Sequence, residues 1–259
     1  MQEADGLGDE TMGAFARETL LSETTFVQRP TADGADYRNR IFTVQSEIPF
    51  AGHPSLGTAV AVAARRGEET VSYVQETGAG LQPIDVRRGD AVWTASMLQG
   101  VPEFGIEVDS RHVMAAVGLL PGDGHRAHPP QVVSTGLPTL IAPVAAGDAL
   151  RRAAPDFDLV DHVMARCGAV NLYLVWMDGG DATRARMFNR ILFRGEDPAT
   201  GSAAGPLCAY LAARGLGESV EITQGAELGR PSTLTAEMEG DRPRVSGKVV
   251  TVIEGTVSL

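Results

Sequence analysis

The sequence predicts an α/β fold built from two similar halves. Segments with helical and strand periodicity alternate along the chain, which is the pattern of α/β proteins. Of the 259 residues, 43% are hydrophobic and 21% are charged, which is enough apolar side chain for a packed core. A stretch of the first half also returns in the second half, so we expect an internal duplication.

The first half opens with a helical pattern at residues 9–21, where Asp9 is suited to be the N-cap. A second helix is predicted at 54–66, because Pro54 fits a first helical turn and Gly67 fits a helix end. Apolar and β-branched runs between these helices and after them predict strands at 23–28, 37–44, 70–75 and 91–96.

Proline and glycine interrupt every periodicity from residue 119 to residue 131, which makes this segment the predicted linker. We therefore expect domains at 1–118 and 132–248, and a C-terminal strand at 249–259 that returns to the first half. The second half predicts strands at 139–144, 170–176, 184–189 and 219–223, and helices at 158–167 and 203–214.

The composition excludes several classes of function. The formal net charge of −11 disfavours an extended contact with nucleic-acid phosphates. No apolar run approaches the roughly 20 residues that cross a bilayer, and the acidic start "MQEADGLGDE" is unlike a signal peptide. Two cysteines, Cys167 and Cys208, do not make a disulfide framework, which predicts a reducing cytoplasm.

The stretch "EIPFAGH" returns as "EDPATGS" when the chain is shifted by 149 residues. Ten positions are identical across the 34 positions from 47 to 80, and the match continues through a helix into a strand. At a shift of 146, "RNRIF" also lies over "RARMF". Chance alignment of two Ala-rich helices is the alternative, but the matching loops and strands favour a duplication.

Each copy of the repeat has a loop that ends at Gly52 or Gly201 and then opens a helix. The free N–H groups and the positive dipole end of a helix N-terminus suit an anion. Two such halves facing each other would form a cleft, which is a common place for a small-molecule site. A carboxylate substrate would then meet His53 from one half, and Asp197 and Ser202 from the other.

Five motifs carry a resemblance to a known family. These motifs are "LLSETTFV" (20–27), "IPFAGHPSLGTA" (48–59), "ETGAGLQPI" (76–84), "EDPATGSAAGPLCAYL" (196–211) and "QGAELGRPS" (224–232). Through them nearly the whole chain, in order, is similar to the PhzF-like isomerases, which share their fold with diaminopimelate epimerase and proline racemase.

The resemblance implies two pseudo-symmetric α/β halves, each a mixed sheet wrapped around a central helix, with the active site in the interdomain cleft. It also implies that Glu23 is the general acid/base, and that His53, Asp197 and Ser202 surround the substrate. A carboxyl group held between apolar elements has its charged form disfavoured, which suits it to carry a proton. The alternative for Glu23 is an exposed loop carboxylate or a capping group.

Relatives on the epimerase branch of the fold use two cysteines at the loop–helix junctions. Here those junctions carry Gly52-His53 and Gly201-Ser202, whereas Cys167 and Cys208 fall within helical segments. A free cysteine inside a helix usually acts as a small core residue. The sequence therefore does not support a two-thiol racemase.

A histidine pair and the start of the chain are two further features of the sequence. His125 and His128 have metal-like spacing, but they lie in the Pro/Gly linker without a partner pattern, so no metal is expected. Family members usually begin with a strand and a "DAF…GNP" segment, whereas this chain starts at Met1, just before the stretch "ADGLGDETM". We therefore expect either a shortened form whose rearranged first half lacks the usual first strand, or a chain whose start is incomplete. Both alternatives affect substrate specificity, and the second also affects activity.

The sequence as a whole predicts a cofactor-independent isomerase of secondary metabolism. Its expected substrate is a small conjugated cyclic amino acid, such as a dihydro-hydroxyanthranilate or an unsaturated pyrroline carboxylate. In this interpretation Glu23, His53 and Asp197 are catalytic, and Gly52, Gly201 and Ser202 bind the substrate carboxylate. A homodimer without membrane or nucleic-acid contact is expected. A non-catalytic binding protein on the same fold and an amino-acid epimerase or racemase are the alternatives.

Overall fold

The computed structural model of the chain describes residues 1–177, 182–189 and 194–258. The chain forms two compact units. The first unit contains Met1–Met97 and Ser246–Leu259, and the second contains Leu98–Val245. Among the described residues, no helix combines the length and the apolar character needed to cross a membrane.

The first unit is a mixed sheet with one helix buried against it. Its strands lie in the order β1-β2-β4-β5-β6, and β3 pairs with β2. Only the β2–β4 contact is parallel among the pairs recorded in this unit. Its elements are α1 (Asp9–Thr19), β1 (Thr24–Gln28), β2 (Tyr37–Phe42), β3 (Glu47–Ile48), α2 (Gly52–Arg66), β4 (Thr70–Thr77), β5 (Gly80–Arg88) and β6 (Trp93–Leu98).

Helix α2 is short of bulky side chains, which lets the sheet of the first unit pack around it. Buried residues of α2 contact Tyr73, Ile84 and Met97 of the strands in one apolar core. The helix ends at Gly67, which adopts a left-handed conformation with φ 71° and returns its N–H to the carbonyls of Ala63 and Ala64. A smaller core places α1 against the opposite side of β1 and β2.

Within the described residues, the second unit repeats this plan and adds two α-helices. Its strands lie in the order β15-β14-β13-β11-β10-β9-β8-β7, and β12 pairs with β11. Its elements are β7 (Glu103–Glu107), α3 (Ser110–Ala116), β8 (Gln131–Ser134), β9 (Thr139–Val144), α4 (Gly147–Arg152), α5 (Phe157–Cys167), β10 (Asn171–Met177), β11 (Ala182–Asn189), β12 (Gly195–Asp197), α6 (Gly201–Ala212), β13 (Ser219–Gln224), β14 (Ser232–Glu239) and β15 (Arg242–Val249).

Helix α6 is the central helix of the second unit. It has buried residues on every side, which is typical of a helix enclosed by a sheet. Its side chains pack with those of β10, β11 and β13 in one core, while α3, α4 and α5 cover the other face of the same sheet.

The internal repeat is confirmed at the level of element order within each unit. A short strand, a central helix and an antiparallel strand pair follow one another in both copies. The repeat also extends further toward the N-terminus than the sequence indicated. Helices α1 and α5 have the same length at a shift of 148, and each is followed by a left-handed residue, Leu20 or Gly168.

Two predictions about chain organisation differ from the structure. The chain divides after Met97 and after Val245, whereas the predicted linker at 119–131 lies inside the second unit. This segment is irregular but anchored: Leu119 is buried, and Asp123 accepts hydrogen bonds from the Leu120 N–H and the Arg152 guanidinium. The predicted C-terminal strand is also wrong beyond Val249, since residues 250–258 form neither helix nor strand.

Candidate active site

Glu23 and His53, two of the predicted catalytic residues, lie together in the first unit. Glu23 immediately precedes β1, and His53 is the second residue of α2. The Nε2 atom of His53 lies 3.0 Å from Oε2 of Glu23. The Glu23 side chain is only 10% exposed, whereas the His53 side chain is 48% exposed. A nearly buried carboxylate therefore stands beside a half-exposed imidazole.

The Oε2 atom of Glu23 has no hydrogen bond of ordinary geometry among the described residues. This oxygen is buried, and the imidazole of His53 lies close to it. A buried carboxylate oxygen without a donor is costly, by about 1–3 kcal/mol, unless a ligand or water completes it. This oxygen is thus available to accept a proton.

Helix α2 begins beside these two residues without a capping side chain. Its N-cap is Ala51, in an extended conformation, and its first turn holds no acidic residue. The first N–H groups of a helix have no partner within the helix, so the N–H of Gly52 is not bonded inside α2. Gly52 itself is buried. The predicted role of Gly52 in carboxylate binding is compatible with this local geometry.

Asp197, the third predicted catalytic residue, ends β12 in the second unit. Its Oδ2 accepts a 2.7 Å hydrogen bond from the Thr200 hydroxyl, and its backbone carbonyl accepts one from Gln224. Gln224 is fully buried, and its Oε1 accepts the hydroxyl of Tyr173 at 2.8 Å. Burial, reinforced by the Asp197 charge, raises the pKa of Tyr173, so its phenol remains a donor. The loop that carries Asp197 is therefore firmly held.

Helix α6 begins at Gly201, with Ser202 as its second residue. Its N-cap, Thr200, makes no side-chain cap, because its hydroxyl is turned to Asp197. Gln99 also binds this turn by donating to the carbonyl of Gly201 at 3.0 Å. The structure places Asp197, Gly201 and Ser202 within one loop–helix turn of the second unit, as the sequence predicted.

Sequence reasoning missed two arginine–glutamate pairs that hold the short strands before the central helices. Arg40 binds both carboxylate oxygens of Glu47, at 2.8 and 2.6 Å, and Arg186 does the same with Glu196, at 2.8 and 2.7 Å. Such bidentate pairs fix direction as well as distance. The signal was present, since both pairs are identities of the internal repeat.

Neither cysteine lies at a loop–helix junction, as predicted. Cys167 is the last residue of α5, and Cys208 is buried in the middle of α6. Burial, together with the charges of Glu237 and Glu218, raises the pKa of Cys208 to about 11, and burial also raises that of Cys167. Both remain thiols near neutral pH, which does not suit proton abstraction.

His125 and His128 stack their rings with centroids 4.5 Å apart in the second unit. Burial, followed by the neighbouring His125 and Arg214, lowers the pKa of His128. Stacked rings do not converge their nitrogens on one point. Within the ranges that the structure describes, no group of three or more metal-ligating side chains is present.

Comparisons with known proteins agree with one another on the fold and on the family of this chain. A protein of Pseudomonas aeruginosa named trans-2,3-dihydro-3-hydroxyanthranilate isomerase is 40% identical over 94% of this chain and 85% of its own length. A Pseudomonas fluorescens protein of the same name is 36% identical over 99% of this chain and 91% of its own. These relatives confirm the prediction of an isomerase.

Solved structures agree with this. A Pseudomonas aeruginosa protein described as a predicted epimerase matches with a TM-score of 0.81 and 34% identity, over 98% of this chain and 92% of that one. A hydroxyproline epimerase of Agrobacterium vitis, at 15% identity and a TM-score of 0.60 over 87% of this chain and 71% of that one, shares the fold alone. The α/β epimerase-like fold is thereby confirmed. The family model of phenazine biosynthesis-like proteins, PhzC-PhzF, matches residues 1–255, and the chain belongs to that family.

Proposed function

We propose that this protein is a cofactor-independent isomerase that moves a proton between two carbons of trans-2,3-dihydro-3-hydroxyanthranilate or a closely similar cyclic amino acid. The observation that carries the proposal is the Glu23–His53 pair, a nearly buried carboxylate with its Oε2 only 3.0 Å from an imidazole nitrogen. The choice of substrate is based on the two relatives named trans-2,3-dihydro-3-hydroxyanthranilate isomerase, which are 36–40% identical to this chain.

In this mechanism Glu23 removes the proton from one ring carbon. The electron pair of that C–H bond moves through the conjugated system to a second carbon. Glu23 then returns the proton to the second carbon, so the carboxylate ends as it began and no redox partner is consumed. The Oε2 atom of Glu23 is buried and accepts no hydrogen bond from the described residues. This supports the role, because no protein hydrogen bond has to break before the oxygen accepts the proton.

His53 is proposed to orient the substrate and to share its protons. Its side chain is half exposed, so it can contact Glu23 and a ligand at the same time. The N–H groups at Gly52 and Gly201, with the hydroxyl of Ser202, are proposed to bind the substrate carboxylate. Asp197 is proposed to orient a polar substrate group, which its hydrogen bond from Thr200 supports by holding the carboxylate in place.

We also propose that the protein works as a homodimer in a reducing cytoplasm. Both cysteines are free, which is compatible with a reducing compartment. Light scattering on the purified protein tests the dimer. A mass of twice 27.3 kDa is expected, and a mass of 27.3 kDa at micromolar concentration would contradict it.

The proposed reaction is tested by incubating the wild-type protein with trans-2,3-dihydro-3-hydroxyanthranilate and following the mixture by NMR. The account expects catalytic conversion to an isomer of unchanged mass in H₂O, with deuterium entering one carbon in deuterium oxide. A protein that binds the compound, as seen by calorimetry, and leaves it unconverted is a binding protein. Inversion at a single carbon without a shift of the double bonds would indicate an epimerase.

A further inference from the structure

Asn39 and Gln75 form a buried amide pair in the first unit whose hydrogen bonding is only half complete. Asn39 on β2 donates from Nδ2 to Oε1 of Gln75 on β4, at 3.1 Å. The side chains are 1% and 0% exposed. The remaining Oδ1 of Asn39 and Nε2 of Gln75 are buried and have no partner among the described residues. Buried polar atoms without a hydrogen-bond partner are rare in native proteins, so we expect a further group to bind to this pair.

The chemistry of the two unused atoms does not depend on how the amides are oriented. As placed, the free atoms are one acceptor, Oδ1 of Asn39, and one donor, Nε2 of Gln75. If both amides were turned over, the mutual hydrogen bond would reverse, and the free atoms would again be one donor and one acceptor. Any occupant must therefore both accept and donate a hydrogen bond.

The second unit shows how the equivalent glutamine is completed. Gln224 lies at the position of Gln75 in the repeat, and its Nε2 donates to the hydroxyl of Thr200 at 2.8 Å and to the carbonyl of Asp197 at 2.7 Å. Thr200 corresponds to Ala51 at the shift of 149. The hydroxyl that satisfies Gln224 therefore has no counterpart in the first unit.

The side chains around the amide pair are also smaller and more polar than their counterparts. The strand register places Thr25 at the position of Tyr173, since Thr25 pairs with Ile41 where Tyr173 pairs with Met187. Thr58 donates to Thr25 at 2.7 Å and stands where the repeat has Leu207. An aromatic and an aliphatic side chain of the second unit are thus replaced by two threonines.

The second unit indicates where this polar cluster lies relative to the central helix. There the matching glutamine, Gln224, contacts the turn before the central helix through Asp197 and Thr200. From the repeat we expect the unused atoms of Asn39 and Gln75 to face the corresponding turn of the first unit, where Ser55 donates its hydroxyl to the carbonyl of Ala51 at 2.7 Å.

We propose that Asn39 and Gln75 form a subsite for a single hydroxyl group, supplied by a bound water or by the hydroxyl of the substrate. A hydroxyl accepts from Nε2 of Gln75 and donates to Oδ1 of Asn39. A carboxylate could not donate to that oxygen, and an ammonium group could not accept from that nitrogen. The substrate source rests on the proposed function, whereas the water source does not.

A matched pair of variants at Ala51 tests the subsite. Ala51→Thr supplies the hydroxyl that Thr200 supplies in the second unit, and Ala51→Val has the same shape without it. We expect Ala51→Thr to have a melting temperature about 2–4 °C above that of Ala51→Val, because one buried hydrogen bond is completed. Equal melting temperatures for the two variants would count against the subsite.

Two ligands distinguish the sources of the hydroxyl. The probes are 3-hydroxyanthranilate and anthranilate, which differ by one hydroxyl, measured by calorimetry on the wild type and both variants. If the substrate hydroxyl occupies the subsite, both variants bind 3-hydroxyanthranilate about tenfold more weakly than the wild type does, because their added side-chain atoms fill the subsite, while all three proteins bind anthranilate equally. If water occupies it, all three proteins bind each ligand equally, while the melting temperatures of the two variants still differ.

A high-resolution crystal structure of the wild-type protein, free and with 3-hydroxyanthranilate, decides the outcome independently of turnover. We expect an oxygen atom within about 3 Å of both Asn39 Oδ1 and Gln75 Nε2 in at least one of the two structures. Absence of such an oxygen in both would overturn the proposal. A failed isomerase assay would remove only the substrate source, because the water and the melting temperatures remain measurable.

Discussion

Arg40 and Arg186 lie at the same position of the repeated strand in the two units and make equivalent contacts. Each binds a glutamate of the following short strand through both carboxylate oxygens. Each also lies over a phenylalanine two residues further on, with 5.3 Å from the guanidinium carbon to the ring centroid in both cases. The arginine, the glutamate and the phenylalanine of this arrangement are therefore duplicated before each central helix.

The side chains that face this framework are not duplicated. Thr24 pairs with Phe42 where Leu172 pairs with Phe188, so Glu23 corresponds to Asn171. Asn171 is buried and carries an amide, which cannot take up a proton at neutral pH. The repeat likewise sets His53 against Ser202. The difference teaches that the duplication supplied two anchored helix N-termini, and that the carboxylate–imidazole pair of Glu23 and His53 belongs to the first unit alone.

The largest expected difference between the units is the loss of kcat/KM when the second residue of each central helix is replaced by alanine. His53→Ala should lower kcat/KM by about 10²-fold or more, since an imidazole that shares protons with Glu23 is lost. Ser202→Ala should lower it only about tenfold, mostly through KM, because one hydrogen bond to the substrate is removed. Steady-state kinetics of both variants checks this, and a larger loss from Ser202→Ala would reverse the assignment of roles.

The duplicated arginines should differ in their contribution to stability. Arg186 and Glu196 are 9% and 11% exposed, and Arg186 also donates to the carbonyls of Leu150 and Ala153. Arg186→Met should therefore lower the free energy of unfolding by about 3–5 kcal/mol, since a buried carboxylate loses its partner.

Arg40→Met is the matched control for this experiment. The side chain of its partner Glu47 is 40% exposed, so water replaces much of the lost interaction. A loss of about 1 kcal/mol or less is expected from urea unfolding. Equal losses for the two variants would show that burial does not separate the pairs.

The residues that end α1 and α5 give a smaller effect. Leu20 and Gly168 both have positive φ, 52° and 75°, at equivalent positions, and only glycine adopts this conformation without strain. Leu20→Gly should raise the free energy of unfolding by about 0.5–1 kcal/mol, and Gly168→Ala should lower it by about 1 kcal/mol. Opposite signs in chemical denaturation are the expected result, and equal signs would contradict the equivalence of the two helix ends.

The smallest effect on turnover is expected from the cysteines. Cys167→Ala combined with Cys208→Ala should leave kcat within about twofold of the wild type, although the loss of the buried Cys208 side chain costs about 1 kcal/mol of stability. Circular dichroism would confirm that the double variant is folded. Inactivity of the folded protein would restore the two-thiol racemase.

The sequence predicted the central helices well because their signals are local. Pro54 lies in the first turn of α2, and Gly67 ends it at a positive φ, as the two residue types require. Strand β5 was missed because Pro83 and several exposed polar residues break its alternation. The linker was misplaced because a proline- and glycine-rich segment looks the same in sequence whether it is anchored or not.

The site was predictable to the extent that its residues lie in motifs. Glu23 and His53 were both identified, but their 3.0 Å contact depends on the packing of β1 against α2, which no local pattern encodes. The sequence shows Gln75 and Gln224 only as one of the identical positions of the repeat. Their different hydrogen-bond partners depend on residues 51, 200, 25 and 173, which come together only in the folded units.

The turnover of Glu23→Gln tests the central claim most directly. This change keeps the size of the side chain and removes its ability to carry a proton, so kcat should fall by about 10²–10⁴-fold. Affinity for 3-hydroxyanthranilate should stay within about threefold of the wild type. Glu10→Gln, on the exposed side of α1, is the matched control and should leave kcat unchanged. A Glu23→Gln protein that turns over at the wild-type rate would contradict the assignment of Glu23 as the proton carrier.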